Sequence, residues 1–270
     1  MTTGNNPVPP KRRADWRVAG LLGLAALLLS GCAGLGSGGG YTFAWYILSP
    51  WDARGQSNLR FLLWGFWATV SISTLAMLIS LSIGLIVALM GIAQRRALFY
   101  ASRVYVEFFR SIPLLVMILW VYYGLPILTG VQFGVFVTGL ICLAISDSAF
   151  TAEIWRAGLQ SIKKGQGEAA RSMGLSPWHT MRLVVLPQVV RAVLPALGNQ
   201  YVYVLKMSSL LSVIGFQELT RLANELTLTE FRPLEIYSFL VLEYLVLILL
   251  VSWGVRVMER RMGTGVQGRD

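Results

Sequence analysis

The chain has 270 residues, of which 55% are hydrophobic and only 13% are charged, and its formal net charge is +10. Repeated apolar runs of about eighteen or more residues are typical of membrane-spanning helices, so this composition favours a bilayer over water as the solvent. The positive charge does not indicate nucleic-acid binding, because no basic stripe is interleaved with stacking aromatics. Cys32 and Cys142 are too few to form a disulfide framework.

Residues 1–40 contain a basic N-terminus, an apolar helix and a glycine-rich linker. The basic stretch ends in "KRRADWR", and the apolar run "VAGLLGLAALLLSGCAGLG" follows it. Signal sequences and first membrane helices share this order. Residues 29–32 also resemble a lipoprotein cleavage box. We interpret the run as an extra uncleaved helix, with processing at Cys32 as the alternative.

Five further spans are predicted after a short external, aromatic segment at 41–58. They lie at 60–92, 104–128, 132–155, 184–215 and 236–258. About 20 residues cross the hydrocarbon, so the first and fourth spans must tilt, bend or protrude. Pro195 and Gly198 provide a physical cause for a bend in the fourth. The sequence therefore predicts an all-α polytopic membrane protein, with its membrane domain at 59–258 and a basic tail at 259–270.

Basic residues cluster beside the ends of the apolar runs, in four groups. The groups are Lys11, Arg12, Arg13 and Arg17; Arg95, Arg96 and Arg103; Lys163, Lys164, Arg171 and Arg182; and Arg256, Arg260 and Arg261. With six spans, all four groups fall on one side of the membrane, as the positive-inside rule requires. Both termini and the loop at 157–182 are therefore predicted to be cytoplasmic.

The loop at 157–182 is predicted to form a helix-turn-helix elbow on the membrane surface. Residues 168–173, "EAARSM", are good to acceptable helix formers, and Gly174 offers a left-handed position that ends their helix. Ser176 and Pro177 form an N-cap and first-turn pair, so a second helix is expected to begin there. These local signals alone do not exclude an ordinary surface loop that joins two membrane helices.

The elbow resembles the EAA loop of ABC importer permeases. The resemblance rests on Glu168, Ala169, Ala170, Gly174, Leu186 and Pro187, at the spacing of that loop. It extends over roughly residues 60–260, because "FRSIPLL", "YYGLP", "FTAEIWRAG", "LPQVVRAVLP" and "GFQELTR" look like the polar amino acid permeases of the histidine, glutamine and arginine type. The resemblance implies the MetI-like fold of type I importers, with five core transmembrane helices.

The resemblance also implies that the elbow is a coupling helix, which docks on a separate ATPase subunit. The implied coupling residues are Gly165, Gln166, Glu168, Ala169, Ala170, Arg171, Gly174, Leu186 and Pro187. Glu168 is expected to pair with a basic group on the ATPase, and Gly174 to permit the close turn. When two ATPases close on ATP, the elbow moves with them and the spans re-aim the cavity, as in rigid-body alternating access.

Further partners implied are a second permease, identical or related, an outer amino acid-binding protein, and the lipid of a bacterial inner membrane. ATP and magnesium are expected on the ATPase. "GTGVQGRD" at 263–270 imitates a phosphate loop, but Arg269 and Asp270 replace its Lys and Ser/Thr. "GLGSGG" at 34–39 is a linker after an apolar helix, not a strand-turn-helix unit. We expect no enzyme activity, cofactor, metal or nucleic acid on this chain.

Glu153 is expected at membrane depth, where an ionisable side chain usually faces a cavity or a partner. It matches an Ala-Glu-x-x-Arg pattern of the permeases and lies toward the cytoplasmic end of its span. We interpret it either as part of an inner gate or lower cavity, or as half of a salt bridge with Arg156 at i+3.

Asp147 lies deeper in the same span, on a face about 120° away from that of Glu153. We predict that it lines the cavity. Direct contact with the ammonium group or a basic side chain of a substrate is one alternative. An internal ion pair with Lys206 or Arg191 is the other.

The fourth span is unusually polar beyond Pro195. Its polar residues are Asn199, Lys206, Ser208 and Ser209, which we assign to the substrate pathway together with Asp147 and Glu153. Relatives often carry Lys-Asp/Asn-Thr-Ser-Leu at 206–210, whereas this chain has "KMSSL" with an apolar Met207.

Two other classes of membrane protein compete with the importer. A secondary transporter driven by an ion gradient predicts inverted repeats with matching broken helices, and the sequence gives no convincing repeat. A membrane anchor without a pathway has no need for Asp147, Asn199 and Lys206 at bilayer depth. The sequence does not name the amino acid transported or say whether the two permeases are identical.

Overall fold

The computed structural model describes residues 41–261. The chain divides into two units, Met1–Trp45 and Tyr46–Asp270, and all the helices numbered here lie in the second. The predictions for the N-terminal helix, for Cys32 and for most of the C-terminal tail fall outside the described residues. Residues 41–261 form helices and turns without a strand, which confirms the all-α fold.

Eight helices follow one another in the described part of the second unit. They are α1 Ala53–Gly91, α2 Arg96–Ser111, α3 Leu114–Thr129, α4 Val135–Ser161, α5 Lys164–Ser172, α6 Pro177–Ile214, α7 Leu219–Glu230 and α8 Pro233–Arg261. By length and composition α1, α4, α6 and α8 are each able to cross a membrane, and the bent pair of α2 and α3 makes up to five if it is counted as one span. The number of spans in this part of the chain therefore agrees with the prediction.

The predicted span at 104–128 is not one helix. It consists of α2 and α3, which meet at an angle of 94°. The break falls at Ile112 and Pro113, where Ile112 has the extended backbone (φ −89°, ψ 122°) that a following proline favours. The structure thus corrects a straight span to a bent pair, with its bend at the proline of "FRSIPLL".

The external segment predicted at 41–58 is also shorter than expected, because α1 begins at Ala53. Asp52 is its N-cap, and one carboxylate oxygen accepts a hydrogen bond of 2.8 Å from the backbone N–H of Arg54. The side chain of Arg54 then forms an ion pair of 2.8 Å with Glu230, which also accepts a hydrogen bond from Asn58. These contacts join the start of α1 to the end of α7.

The long helices pack in an order that fixes their directions. α1 and α4 are parallel, because Gly139 lies beside Ile72 while Thr151 bonds Ser80 further along both helices. α6 is antiparallel to α4, because Val193 packs against Gly158 near the end of α4. The end of α1, the end of α4 and the elbow therefore share one end of the molecule.

α7 is a short helix that the sequence did not predict. It is preceded by the buried Glu218, whose carboxylate accepts hydrogen bonds from the backbone N–H groups of Thr220 (2.9 Å) and Arg221 (2.8 Å) and from the hydroxyl of Tyr244 (3.0 Å). These bonds satisfy helix N–H groups that would otherwise be buried without partners. α7 then packs beside the first turns of α1.

The bend expected at Pro195 takes a different form. The α-helical part of α6, Leu186–Met207, continues through Pro195 without interruption. The irregular stretches are a π-helical segment at Thr180–Val185 and a 3-10 segment at Ser208–Ile214. Gly198 permits a close approach, because a β-carbon there would collide with Val255 of α8.

Candidate functional site: the elbow and the open face

The turn of the elbow has the geometry that the sequence predicted. Gly174 has a φ of +87°, in the left-handed region. Its N–H donates to the carbonyl of Arg171 (2.9 Å), and the N–H of Leu175 donates to the carbonyl of Ala170 (3.2 Å). This pair of bonds is the Schellman motif, which closes the end of a helix and requires a left-handed residue at the position of Gly174.

The second helix of the elbow begins where the sequence placed it. Ser176 is the N-cap, and its hydroxyl accepts a hydrogen bond from the backbone N–H of His179 (3.4 Å). The same oxygen lies 2.7 Å from Nδ1 of His179. Pro177 occupies the first turn, where its missing N–H costs nothing. His179 therefore contributes to the local cap at the surface of the elbow.

One side of the elbow is packed and the other is open. Ala170 is buried, whereas Met173 and Trp178 are 83% and 67% exposed. These two large apolar side chains flank the Gly174 turn and form an apolar tip. Sequence reasoning missed them, although "SMGLSPW" places both next to the turn residues. An exposed apolar tip of this kind is typical of a protein contact.

The other residues assigned to coupling have varied environments. Gly165, Gln166, Glu168, Ala169, Arg171, Gly174 and Pro187 are exposed, while Leu186 is partly buried against the core. Among the described side chains, the Glu168 carboxylate has no hydrogen-bond or ion-pair partner. Arg171 donates to the backbone carbonyl of Gly167 (3.2 Å). The coupling roles of these residues stay predictions.

Asp147 has different neighbours from those expected. It is 4% exposed, and its carboxylate accepts hydrogen bonds from Ser80 of α1 and from Nε2 of Gln200 of α6 (2.5 Å). The Ser80 hydroxyl also lies 3.0 Å from that of Thr151. The alternative of an ion pair with Lys206 or Arg191 is not found among the described residues, because two neutral side chains already satisfy the carboxylate.

Glu153 forms the salt bridge that the i+3 spacing predicted. The Nε of Arg156 lies 3.0 Å from one carboxylate oxygen of Glu153 and 3.2 Å from the other. Both side chains are about one quarter exposed. The pair is therefore accessible from outside the subunit, and the gate role suggested for Glu153 stays a prediction.

The polar residues of α6 separate into two sets. Asn199, Tyr203 and Lys206 are exposed and follow one stripe of the helix at i, i+4 and i+7. Ser208 is fully buried and donates to the carbonyl of Leu205 (2.8 Å), while Ser209 donates to that of Lys206 (2.7 Å). Both serine hydroxyls are thus used within the helix, and Ser208 lies away from the exposed stripe.

A second polar stripe lies on α2, which the sequence analysis did not assign to the pathway. Arg103, Glu107 and Arg110 are all exposed and again have i, i+4 and i+7 spacing. The guanidinium carbon of Arg110 lies 5.2 Å from the ring centroid of Phe150, and this ring lies 6.1 Å from that of Tyr203. The Arg110–Phe150–Tyr203 chain therefore connects α2, α4 and α6.

We call the surface formed by these residues the open face. It consists of Arg103, Glu107 and Arg110 of α2, Phe150 and Glu153 of α4, and Asn199, Tyr203 and Lys206 of α6. The i, i+4, i+7 spacing of its polar residues was the signal available in the sequence. Their position opposite Phe150 was not available, since it depends on packing between distant helices.

Comparison with known proteins gives consistent results. The family model described as "Binding-protein-dependent transport system inner membrane component" matches residues 80–264. A probable glutamine ABC transporter permease of Bacillus subtilis, GlnM, is 38% identical over 205 residues, which cover 76% of this chain and 94% of that protein. The glutamine transport system permease GlnP of Escherichia coli K12 is also 38% identical, with 74% and 92% covered.

Solved structures agree with the sequence relatives. The crystal structure of an amino acid ABC transporter with histidines superposes with a TM-score of 0.73 at 35% identity, covering 82% of this chain and all of that one. A chain of the inward-facing MetNI methionine ABC transporter has the same fold, with a TM-score of 0.67, 20% identity, and coverage of 77% and 98%. The family match spans more than half of the sequence, and the chain therefore belongs to the binding-protein-dependent transport system inner membrane components.

Proposed function

We propose that this chain is the membrane-spanning subunit of an ATP-driven importer of polar amino acids, and that its elbow couples a separate ATPase to the transport pathway. The elbow geometry carries the proposal. It combines a closed Schellman turn, an apolar tip of Met173 and Trp178, and the exposed carboxylate of Glu168, which has no partner among the described side chains. A groove on an ATPase that supplied an apolar lining and a basic group would complement all three features.

The elbow is joined to the spanning helices by short connections. Only Ile162 and Lys163 separate α4 from α5, and residues 173–176 separate α5 from α6. Because these connections are short, a movement of α5 would be transmitted to both α4 and α6. Because α4 carries Phe150 and Glu153, and α6 carries Asn199 and Lys206, the same movement displaces the open face.

The exposed charges of the open face support a pathway along this surface. Charged side chains at bilayer depth cost a few kcal/mol when they face lipid, so they are normally covered by protein or a water-filled cavity. A second permease, either identical or related, would cover this face and enclose water. The pathway would then run between the two subunits, with Glu153, Asn199 and Lys206 among the residues along it.

The named relatives support the remaining partners and the substrate class. Glutamine permeases of two bacteria are 38% identical to this chain, which supports an amide or another polar amino acid as the cargo. An outer binding protein would deliver the substrate, and two ATPase subunits would hold ATP and magnesium. The chain would lie in the bacterial inner membrane with its basic end, the elbow and both termini in the cytoplasm.

The decisive experiment is a substitution at Gly174. A β-carbon at Gly174 meets no atom within 4 Å, so Gly174→Val acts through backbone strain alone, which we expect to be about 1–2 kcal/mol. The strained turn should lower substrate-stimulated ATP turnover of the purified assembly at least tenfold. Gly174→Asn should retain most of the turnover, because Asn tolerates the left-handed region better than other residues.

The matched control is Gly254→Val on α8, where a β-carbon also meets no atom within 4 Å and no positive φ is required. This variant should behave like the parent. Equal turnover in Gly174→Val and Gly254→Val would reject the elbow as the coupling element. In the same assembly, Glu168→Lys should reduce co-purification of the ATPase, and unchanged recovery would remove Glu168 from the contact.

A further inference from the structure

We infer that the open face selects amino acids without a net positive charge, and that Arg110 and Lys206 receive the α-carboxylate of the substrate. This inference rests on the proposed function, because it assumes that the open face lines a pathway. It adds a charge preference and two specificity-determining residues on this chain. Three observations support it: the contact of Arg110 with Phe150, the net positive charge of the open face and the uncharged polar residues beside Lys206.

Arg110 is held in position by an aromatic ring rather than by an ion pair. Its guanidinium group lies over the ring of Phe150, whose own position is supported by Tyr203. Within residues 41–261 no carboxylate forms an ion pair with it. An aromatic face orients a guanidinium group but leaves its N–H groups available. These N–H groups match the two oxygens of a carboxylate in a bidentate arrangement.

The charges of the open face do not balance. Arg103, Arg110 and Lys206 have no ion-pair partner among the described residues, whereas Glu153 is already bonded to Arg156. Glu107 is then the one acidic side chain of the open face without such a partner in residues 41–261. Coulomb interactions are several-fold stronger near a protein surface than in bulk water, so a net positive face attracts a carboxylate and repels a second positive charge.

Apart from Lys206, the exposed stripe of α6 is polar but uncharged. Asn199 and Tyr203 are exposed on the same side of the helix as Lys206. An amide provides two donors and an acceptor, and a phenol provides one donor and an acceptor. These groups suit the side chain of a neutral amide amino acid. They offer no negative charge to a lysine, arginine or ornithine side chain.

The test uses the membrane assembly, purified through a tag on this chain and placed in nanodiscs without ATP or the outer binding protein. Binding of labelled L-glutamine is measured in competition with L-glutamate, L-arginine and L-glutaminamide. The last compound lacks the carboxylate and is a cation. L-Glutamine and L-glutamate should compete at least tenfold more strongly than L-arginine and L-glutaminamide.

Variants then assign the effect to residues. Arg110→Gln should weaken L-glutamine binding at least tenfold, and Arg110→Lys should recover part of that loss because it keeps the charge. Lys206→Glu should reduce the difference between the binding affinities for L-glutamine and L-arginine. Arg60→Gln is the matched control, because Arg60 is an exposed arginine of α1 outside the open face. It should bind L-glutamine like the parent.

Three results would overturn the inference. These are competition by L-arginine equal to that by L-glutamine, an unchanged affinity in Arg110→Gln, or no saturable amino acid binding by the parent assembly. The outcome is separable from that of the elbow experiment. If Gly174→Val loses coupling while Arg110→Gln is normal, only the charge selection fails. If the charge preference holds but Gly174→Val stays coupled, the proposed role of the elbow fails instead.

Discussion

Gly84 in the packed spans and Gly174 in the elbow are both glycines that a side chain would harm, but for different reasons. At Gly84 a β-carbon would collide with the side chain of Thr151 and lie 3.0 Å from the backbone nitrogen of Ala152. At Gly174 there is open space, and only the φ of +87° excludes an ordinary side chain. The spans therefore need room between helices, whereas the elbow needs a particular backbone conformation.

This difference separates folding from coupling. A change at Gly84 acts on contacts between α1 and α4 that hold the subunit together. A change at Gly174 acts on an exposed turn whose loss leaves the spans packed. The two regions should consequently respond to different assays, thermal unfolding for the spans and ATP turnover for the elbow.

The largest effect is expected for Gly84→Val. Neither the Ala152 backbone nor the β-branched Thr151 yields easily, so the substitution should cost about 3 kcal/mol or more, at the upper end for overpacking. The unfolding temperature of the purified chain in detergent should fall by several degrees. ATP turnover of the assembly with its ATPase should fall only to the extent that folded protein is lost. A variant with unchanged unfolding temperature would show that α1 and α4 separate more readily than their packing indicates.

An intermediate effect is expected for Asp147→Ala. The change leaves the Gln200 amide without its acceptor and leaves the buried Ser80 hydroxyl with only the Thr151 hydroxyl, at a cost of about 1–3 kcal/mol. Asp147→Asn should cost less, because its side-chain oxygen still accepts one of these bonds. Unfolding temperatures of the two variants provide the measurement. If both unfold like the parent while L-glutamine uptake by the reconstituted importer is lost, Asp147 acts on substrate rather than on packing.

The smallest effect is expected at the elbow, for Ser176→Ala. Removing an N-cap side chain costs about 1 kcal/mol, and this cap lies in an exposed segment. The unfolding temperature of the spans should therefore not change measurably. Hydrogen exchange at the backbone amides of residues 178–180 should be faster than in the parent. Protected amides there would mean that the ATPase contact or Pro177, not the cap, holds the first turn of α6.

The sequence was most informative where structure depends on neighbours in the chain. The Gly174 turn, the Ser176 cap and the apolar spans all follow from local residue types, and each is found in the structure. α7 was missed because "LTRLANELTLTE" has too few apolar residues for a span and no capping signal except Glu218, which lies in a family motif.

Contacts between residues that are far apart in the sequence could not be predicted. Gln200 bonds Asp147 from 53 positions away, and Arg110 reaches Phe150 across 40 residues. Charge alone suggested Lys206 and Arg191 as partners of Asp147. The packing of α6 against α4 turned a neutral amide toward the carboxylate and left Lys206 on the outside, and no local pattern encodes that rotation.

The ion pair between Arg54 and Glu230 affects the rigidity of the subunit. This ion pair holds α1 against α7 at one position along its length, and the hydrogen bond between Ser80 and Thr151 holds α1 against α4 at another. Because α1 is bonded to its neighbours at two positions along its length, α1, α4 and α7 form one rigid unit. In the importer proposed above, the substrate passage would reorient by a change in the relative orientation of two such subunits, while each subunit kept its internal structure.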